Sequence, residues 1–302
     1  LALSSFTAEA PFPWQGGVRW LEWLAAFALA AQALRSPGEV ERVAWAAVTA
    51  GVAVAGVGLA EFMGWLPRLP GSLTVAVAGN ELVRAGGPFG PNTLAMYVML
   101  VMPWTLTAAM AHPSGAARAA GLVAAGVLAA AFLAAFSATG WIAALTAAAV
   151  LAAGTGAKRG MAAAAVLLAA AAAWTAVFLP ELIHTKLASW QDRWEYLRLS
   201  GRLAAESPWL GWGPGRYRFV APALGAGLNP VGWLTHPHSL YLTLLVETGL
   251  LGVLAWWWAV VRIADRTVRG LRRTTPGWPR LAGWSLAAGL AGFLAANTCE
   301  HG

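Results

Sequence analysis

Residues 211–252 read GWGPGRYRFVAPALGAGLNPVGWLTHPHSLYLTLLVETGLLG and hold the densest set of chemically capable side chains in the chain. Gly211, Gly213 and Gly215 permit tight turns and a close approach of backbone to a ligand, and Arg216 and Arg218 follow at once. Glycine turns beside arginines suit the oxygens of a phosphate group. The GxGxG spacing is not a dinucleotide fingerprint, because no strand precedes it. His236 and His238 flank a proline at the mouth of an apolar run. An unperturbed histidine titrates near neutrality, so His238, with His236 beside it, could serve as a general base or simply cap the helix and meet lipid headgroups. Glu247 lies about two helical turns into the run, where an ionised side chain is costly unless paired or hydrogen-bonded. We read it as a supporting residue. Polar, cationic and titratable groups thus meet hydrocarbon here, where an enzyme acting on a lipid-linked substrate needs them.

The elements that must position these groups are membrane helices. Of 302 residues, 59% are hydrophobic and only 11% charged, against about a quarter charged in a soluble domain. Apolar runs at 20–34, 43–62, 93–110, 119–136, 141–153, 161–179, 240–261 and 281–296 approach the ~20 residues that cross a bilayer, which predicts an all-α polytopic transmembrane bundle of about 8 spans. The net charge of +7 would suit nucleic acid, but its distribution excludes that partner. The basic residues fall in alternate loops: Arg35 and Arg42, Arg118, Lys158 and Arg159, then Arg262, Arg266, Arg269, Arg272, Arg273 and Arg280. The positive-inside rule puts these in the cytoplasm and leaves 63–92, 137–140 and 180–239 facing outward. The single Cys299 excludes an internal disulfide. Many of the eighteen Trp, among them Trp20, Trp65, Trp104, Trp141 and Trp209, gather with Tyr241 near span ends as interfacial anchors do. The alanine-rich stretches 119–135 and 161–173 are expected to pack in the middle of the bundle. We expect one membrane domain over 1–302; with no initiator Met and no targeting signal, the sequence reads as a fragment truncated at both ends.

The outward segment 180–239 is too long for a plain connection and carries most of the candidate site. Its part 187–205 mixes Leu, Trp and Tyr with Asp192, Arg193, Glu195, Arg198 and Arg202. At helical spacing this gives an amphipathic helix suited to a membrane surface, with the arginines on one flank. Glu206-Ser207-Pro208 then breaks it.

The run Gln191-Asp192-Arg193-Trp194, the turn Glu206-Ser207-Pro208-Trp209-Leu210-Gly211-Trp212-Gly213-Pro214-Gly215, the step His236-Pro237-His238-Ser239 and the helix Glu247-Thr248-Gly249-Leu250-Leu251-Gly252 together resemble the O-antigen ligase/polymerase superfamily. Upstream, Arg84, Gly86, Gly87, Phe89, Gly90, Pro91 and Asn92 resemble the family's approach to an earlier span. Two positions depart from its pattern. Ser239 stands where an Asn is usual, and both cap helices. Ala138 stands where many members carry an outward-facing arginine.

The resemblance implies a polytopic glycosyltransferase of the bacterial cytoplasmic membrane, with its site on the periplasmic side. It implies a polyprenyl-diphosphate-linked glycan as donor and a hydroxyl of lipid A–core, glycan or protein as acceptor, with membrane lipid around them and no cofactor. A diphosphate leaving group gathers negative charge. The chain has only Asp192 and Asp265 as aspartates, not spaced as a metal site requires, so arginine is the remaining means of neutralising it. Arg193 is the first candidate, catalytic together with His238. Arg84, Arg216, Arg218, Gly211, Gly213 and Gly215 are candidates for holding the diphosphate, and His236 and Glu247 for support. Alternative readings are a polymerase of the same superfamily, a transporter or flippase of lipid-linked glycan, and a membrane scaffold.

Overall fold

The structure, a computed structural model, describes residues 36–69, 73–77, 80–156, 193–224 and 237–298, with isolated residues between 21 and 34 and at 166. The fold is an all-α polytopic bundle. Its helices are α1 (Pro37–Phe62), α2 (Pro91–Ala111), α3 (Gly115–Ala134), α4 (Ala138–Thr155), α5 (193–206), α6 (Tyr217–Leu224), α7 (Leu240–Arg273) and α8 (Trp278–Ala296). One hairpin, β1 (Thr74–Val77) with β2 (Asn80–Val83), lies between α1 and α2. Five helices, α1 to α4 and α7, are long and apolar enough to cross a membrane. The run 281–296 forms helix α8 but is not one of them; Pro279, Arg280, Trp284 and Ser285 dilute its apolar character. The expected spans 20–34 and 161–179 lie outside the described residues, as do Asp192 and His236.

Local chemistry sets the helix starts. Ser36 and Glu39 form a capping box around Pro37: the Glu39 N–H donates to Ser36 Oγ (3.3 Å) and the Ser36 N–H to Glu39 Oε2 (2.7 Å). Pro91 opens α2. Ser114 and Ser137 cap α3 and α4 by accepting from Ala117 and Gly140.

The chain divides into two compact units. One, the bundle unit, comprises Val40–Lys186 and Thr267–Ala296. Its centre is α2, 61% buried over its apolar window against 28–39% for the other four candidate spans. The alanine-rich α3 is therefore a flank rather than the middle. Close approach comes from glycines instead: a Cβ on Gly121 would lie 2.8 Å from the Ala109 nitrogen, and one on Gly292 2.5 Å from the Ala143 carbonyl oxygen. At one end, His112 Nε2 meets Glu41 Oε1 at 2.6 Å and the His112 ring abuts Trp278 at 4.5 Å. The Ser114 N–H donates to His112 Nδ1, so Nε2 carries the proton toward Glu41. Arg42, Arg118 and Arg280 adjoin these residues in sequence.

The other, the loop unit, comprises Leu187–Arg266 with Leu1–Glu39 and Asn297–His301. Its core packs Leu199 and Leu203 of α5 on Tyr217, Val220 and Ala221 of α6 and Val246 of α7. Helix α7 is broken at Gly249 (φ 64°, ψ −170°). Tyr241 and Trp257, sixteen residues apart, stack with ring centroids 5.3 Å apart. Straight helix would separate them by about 24 Å, so the arms fold back on each other. The arm before the break rises about 13 Å, and the apolar part of the arm after it, 250–261, about 18 Å before the charged residues from Arg262 onward. The expected span 240–261 thus falls on two arms that meet at the Gly249 break.

Candidate active site

The break in α7 is filled by the glycine turn. Two bonds of the helical ladder, from the N–H groups of Leu250 and Leu251 to the carbonyls of Val246 and Glu247, are replaced by four to the turn. Leu250 N–H donates to Pro208 O (2.8 Å) and Leu251 N–H to Trp209 O (3.3 Å), while Trp212 N–H donates to Val246 O (2.8 Å) and Gly213 N–H to Glu247 O (2.9 Å). This interleaving satisfies backbone groups that a broken helix otherwise strands. It also demands glycine on both sides. A Cβ on Gly211 would lie 2.5 Å from the Glu247 carbonyl carbon, and one on Gly249 would collide with the Trp209 carbonyl. Within the turn Ser207 Oγ donates to Gly211 O (2.9 Å), and Trp212 Nε1 donates to Leu203 O (2.8 Å), tying the turn to α5.

Glu247 sits at the last full turn before the break, 7% exposed. Its Oε2 accepts from Gly215 N–H (2.8 Å) and its Oε1 from Tyr217 N–H (3.2 Å). The carboxylate thereby fixes both the end of the glycine turn and the start of α6. Between these two anchors lies Arg216, whose Nε–H is buried without an acceptor among the described residues. Arg218 is exposed and lies over the Phe219 ring at 4.7 Å, and its charge acts on Glu247 through space. Gly213 and Gly215 hold φ of 103° and 74°.

His238 is half-buried and adopts φ 50°, rare for a side-chain-bearing residue. Its ring lies 5.4 Å from that of Tyr196, tilted by 40°. The next residue, Ser239, caps α7 by accepting from Leu242 N–H (3.4 Å), and the Leu240 N–H donates to Asn297 O (3.0 Å). Arg193, half-buried, opens the described part of α5. Arg193, Tyr196 and Ser200 recur at i, i+3 and i+7 and so share one face of that helix. Ser200 Oγ pairs with the buried Tyr217 hydroxyl at 3.2 Å. Burial pushes the Tyr217 phenol up to about 12, which keeps it a neutral O–H. One helix face therefore leads from Arg193 through Tyr196 to His238, and through Ser200 and Tyr217 to Glu247 and the glycine turn. Arg198, by contrast, faces outward, pairing with Glu195 at 3.2 Å and lying over Trp194.

Arg84 belongs to the bundle unit, where it is buried. Its Nε donates to Ala135 O (2.9 Å) and its Nη2 to Phe136 O (3.2 Å) and Asn92 Oδ1 (3.0 Å). Ser137 Oγ donates to the same Asn92 oxygen (3.0 Å) and pairs with Thr139 (2.9 Å). The guanidinium thus gathers the carbonyls at the end of α3, a site a cation favours. Ala138, the departure from the family pattern, is exposed at the first position of α4. Among the described residues, no group of three His, Cys, Asp or Glu could hold a metal.

Tyr196, Ser200, Tyr217 and Gly249 were not singled out by sequence reasoning. The first two carried a usable signal in their helical spacing from Arg193. Gly249 carried one as a glycine inside an apolar helix.

The O-antigen ligase family model matches residues 122–257. No curated protein and no solved structure matches the chain. The matched segment runs from the middle of α3 to the arm of α7 beyond its break, and takes in the glycine turn, His238 and Glu247. The match supports the likeness of this multi-pass helical chain to the O-antigen ligase superfamily, whose members are ligase- or polymerase-like membrane glycosyltransferases.

Proposed function

We propose that the protein moves a glycan from a polyprenyl-diphosphate carrier to an acceptor hydroxyl on the outer side of the bacterial cytoplasmic membrane. The observation that carries this reading is the buried Nε–H of Arg216, without an acceptor, between two backbone groups held by Glu247. A buried donor left open at a rigid, glycine-built turn suits an anionic ligand.

In the reaction, the acceptor oxygen attacks the anomeric carbon as its proton passes to His238. The bond from that carbon to the diphosphate oxygen breaks, the electron pair leaves with the diphosphate, and the configuration inverts. Arg193, Arg216 and Arg218 offset the charge that develops on the leaving group, and Gly211, Gly213 and Gly215 let the backbone come close to it. No metal is required. Glu247 supports the turn without touching the reacting atoms, and Tyr196 sets the pose of the His238 ring. We assign Arg84 to holding the α3–α4 turn.

The test is transfer from a polyprenyl-diphosphate glycan by reconstituted protein in excess chelator, with His238→Ala and Arg193→Ala beside the wild type. Loss in each variant and indifference to chelator are expected. Undiminished transfer in either variant, or abolition by chelator, refutes the mechanism.

A further inference from the structure

Beyond the break, α7 presents an apolar stripe to its surroundings. Leu250, Leu251, Leu254, Trp258 and Val261 are 40–68% exposed and recur at helical spacing along the arm after the break. Two residues outside that arm continue the stripe. Trp209 and Leu210, at the tip of the Ser207–Gly211 turn, are 62% and 54% exposed. The backbone of this tip is bonded to the very start of the arm, through Pro208 O to Leu250 N–H and Trp209 O to Leu251 N–H. The neighbouring Trp212 turns the other way, with its indole N–H on the Leu203 carbonyl. The turn therefore divides its aromatics, one toward the protein core and one outward at the level where the span begins.

We propose that the Trp209–Leu210 tip is seated in the hydrocarbon of the leaflet at the Leu250 end of the span. The occupant of this face is lipid chains. The argument is continuity: the exposed apolar surface of a span is covered by lipid, and hydrogen bonds fix this tip to the span's first turn. Indole is favoured at that depth. On the other flank, Arg202 and Glu206 are exposed polar groups at the end of α5, suited to the headgroup layer.

The experiment does not depend on glycosyl transfer. In a Cys299→Ser background, which removes the single cysteine, nitroxide labels are attached to Leu210→Cys, Leu254→Cys and Glu206→Cys. The protein is reconstituted in phosphatidylcholine–phosphatidylglycerol vesicles. Collision rates with oxygen, which concentrates in hydrocarbon, and with a water-soluble nickel chelate are then compared. The expected oxygen-to-nickel ratio at 210 matches that at 254 and exceeds that at 206. A ratio at 210 nearer to that at 206 overturns the proposal by placing the tip in water. Low access to both reagents overturns it too, because protein would then cover the tip.

Discussion

Replacing Gly249 by alanine separates two physical pictures of α7 by the sign of the effect. If Leu240–Arg273 were continuous helix, removing a glycine from its interior would stabilise it by about 0.5–1 kcal/mol. In the folded-back structure the same change is harmful for two reasons. The backbone at φ 64°, ψ −170° lies in a region essentially reserved for glycine, which costs about 1–3 kcal/mol with a side chain present. The new Cβ also collides with the Trp209 carbonyl. Relief requires the turn to withdraw, and the four interleaved hydrogen bonds then weaken, at about 0.5–1.5 kcal/mol each. A destabilisation of roughly 3 kcal/mol, and up to about 9 if all four bonds are lost, follows. Thermal unfolding in detergent measures it. Cross-linking of Tyr241→Cys to Trp257→Cys by a short bis-maleimide, in a Cys299→Ser background, reports the geometry directly. The link forms when Gly249 is present and is lost in Gly249→Ala, because straightened helix separates the two positions by about 24 Å. Equal or higher stability of Gly249→Ala, with the cross-link absent from both proteins, would refute the folded-back helix.

Two further outcomes follow from the buried polar groups. Arg84→Lys keeps the charge but loses the fork that reaches Ala135, Phe136 and Asn92 together; a loss of about 2–4 kcal/mol, read as a lower unfolding temperature, is expected because buried carbonyls lose their donors. For Tyr217, the folded phenol is pushed up to about 12 while the unfolded one titrates near 10. Its contribution is therefore constant below about pH 10 and declines between about 10 and 12, and Tyr217→Phe removes that decline from the stability–pH curve.

What the sequence made legible follows from the range of each signal. Hydropathy over twenty residues located α1 to α4 well, and the serines at 36, 114 and 137 stand at helix starts because a hydroxyl accepting an N–H is a local event. Ser239 capping α7 belongs to the same class. The break at Gly249 was hidden because glycine is common in membrane helices and the flanking residues are apolar on both sides. What forces the break is the turn at 207–213, some forty residues earlier, and no window along the chain contains both. The surroundings of Arg84 were hidden for a similar reason: beside Asn92 Oδ1, its partners are two carbonyls more than fifty residues away. Alanine content likewise pointed to α3 as the centre, whereas the buried centre is α2, whose Met, Val and Trp side chains fill it.

Each unit uses a buried glutamate in the same way. In the bundle unit Glu61, near the end of α1 and 2% exposed, accepts from Leu69 N–H (3.0 Å) and Gly87 N–H (3.2 Å). In the loop unit Glu247 accepts from Gly215 and Tyr217. In each case an apolar helix carries a carboxylate to the level of a glycine-rich, proline-containing segment, and both carboxylate oxygens take backbone N–H groups. A carboxylate is suited to this because it offers acceptors alone, and the first N–H groups of a turn or helix are the ones left unpaired where water is scarce. Lysine or arginine in the same place would compete for carbonyls and leave those N–H groups stranded. Pinning the turn by an acid has a chemical consequence as well. The Glu247 oxygens are occupied by Gly215 and Tyr217, so the Arg216 Nε–H between them keeps its place without being consumed by an internal ion pair. In the order Gly-Arg-Tyr at 215–217, the outer two residues give their backbone N–H groups to the glutamate and the arginine side chain lies between them.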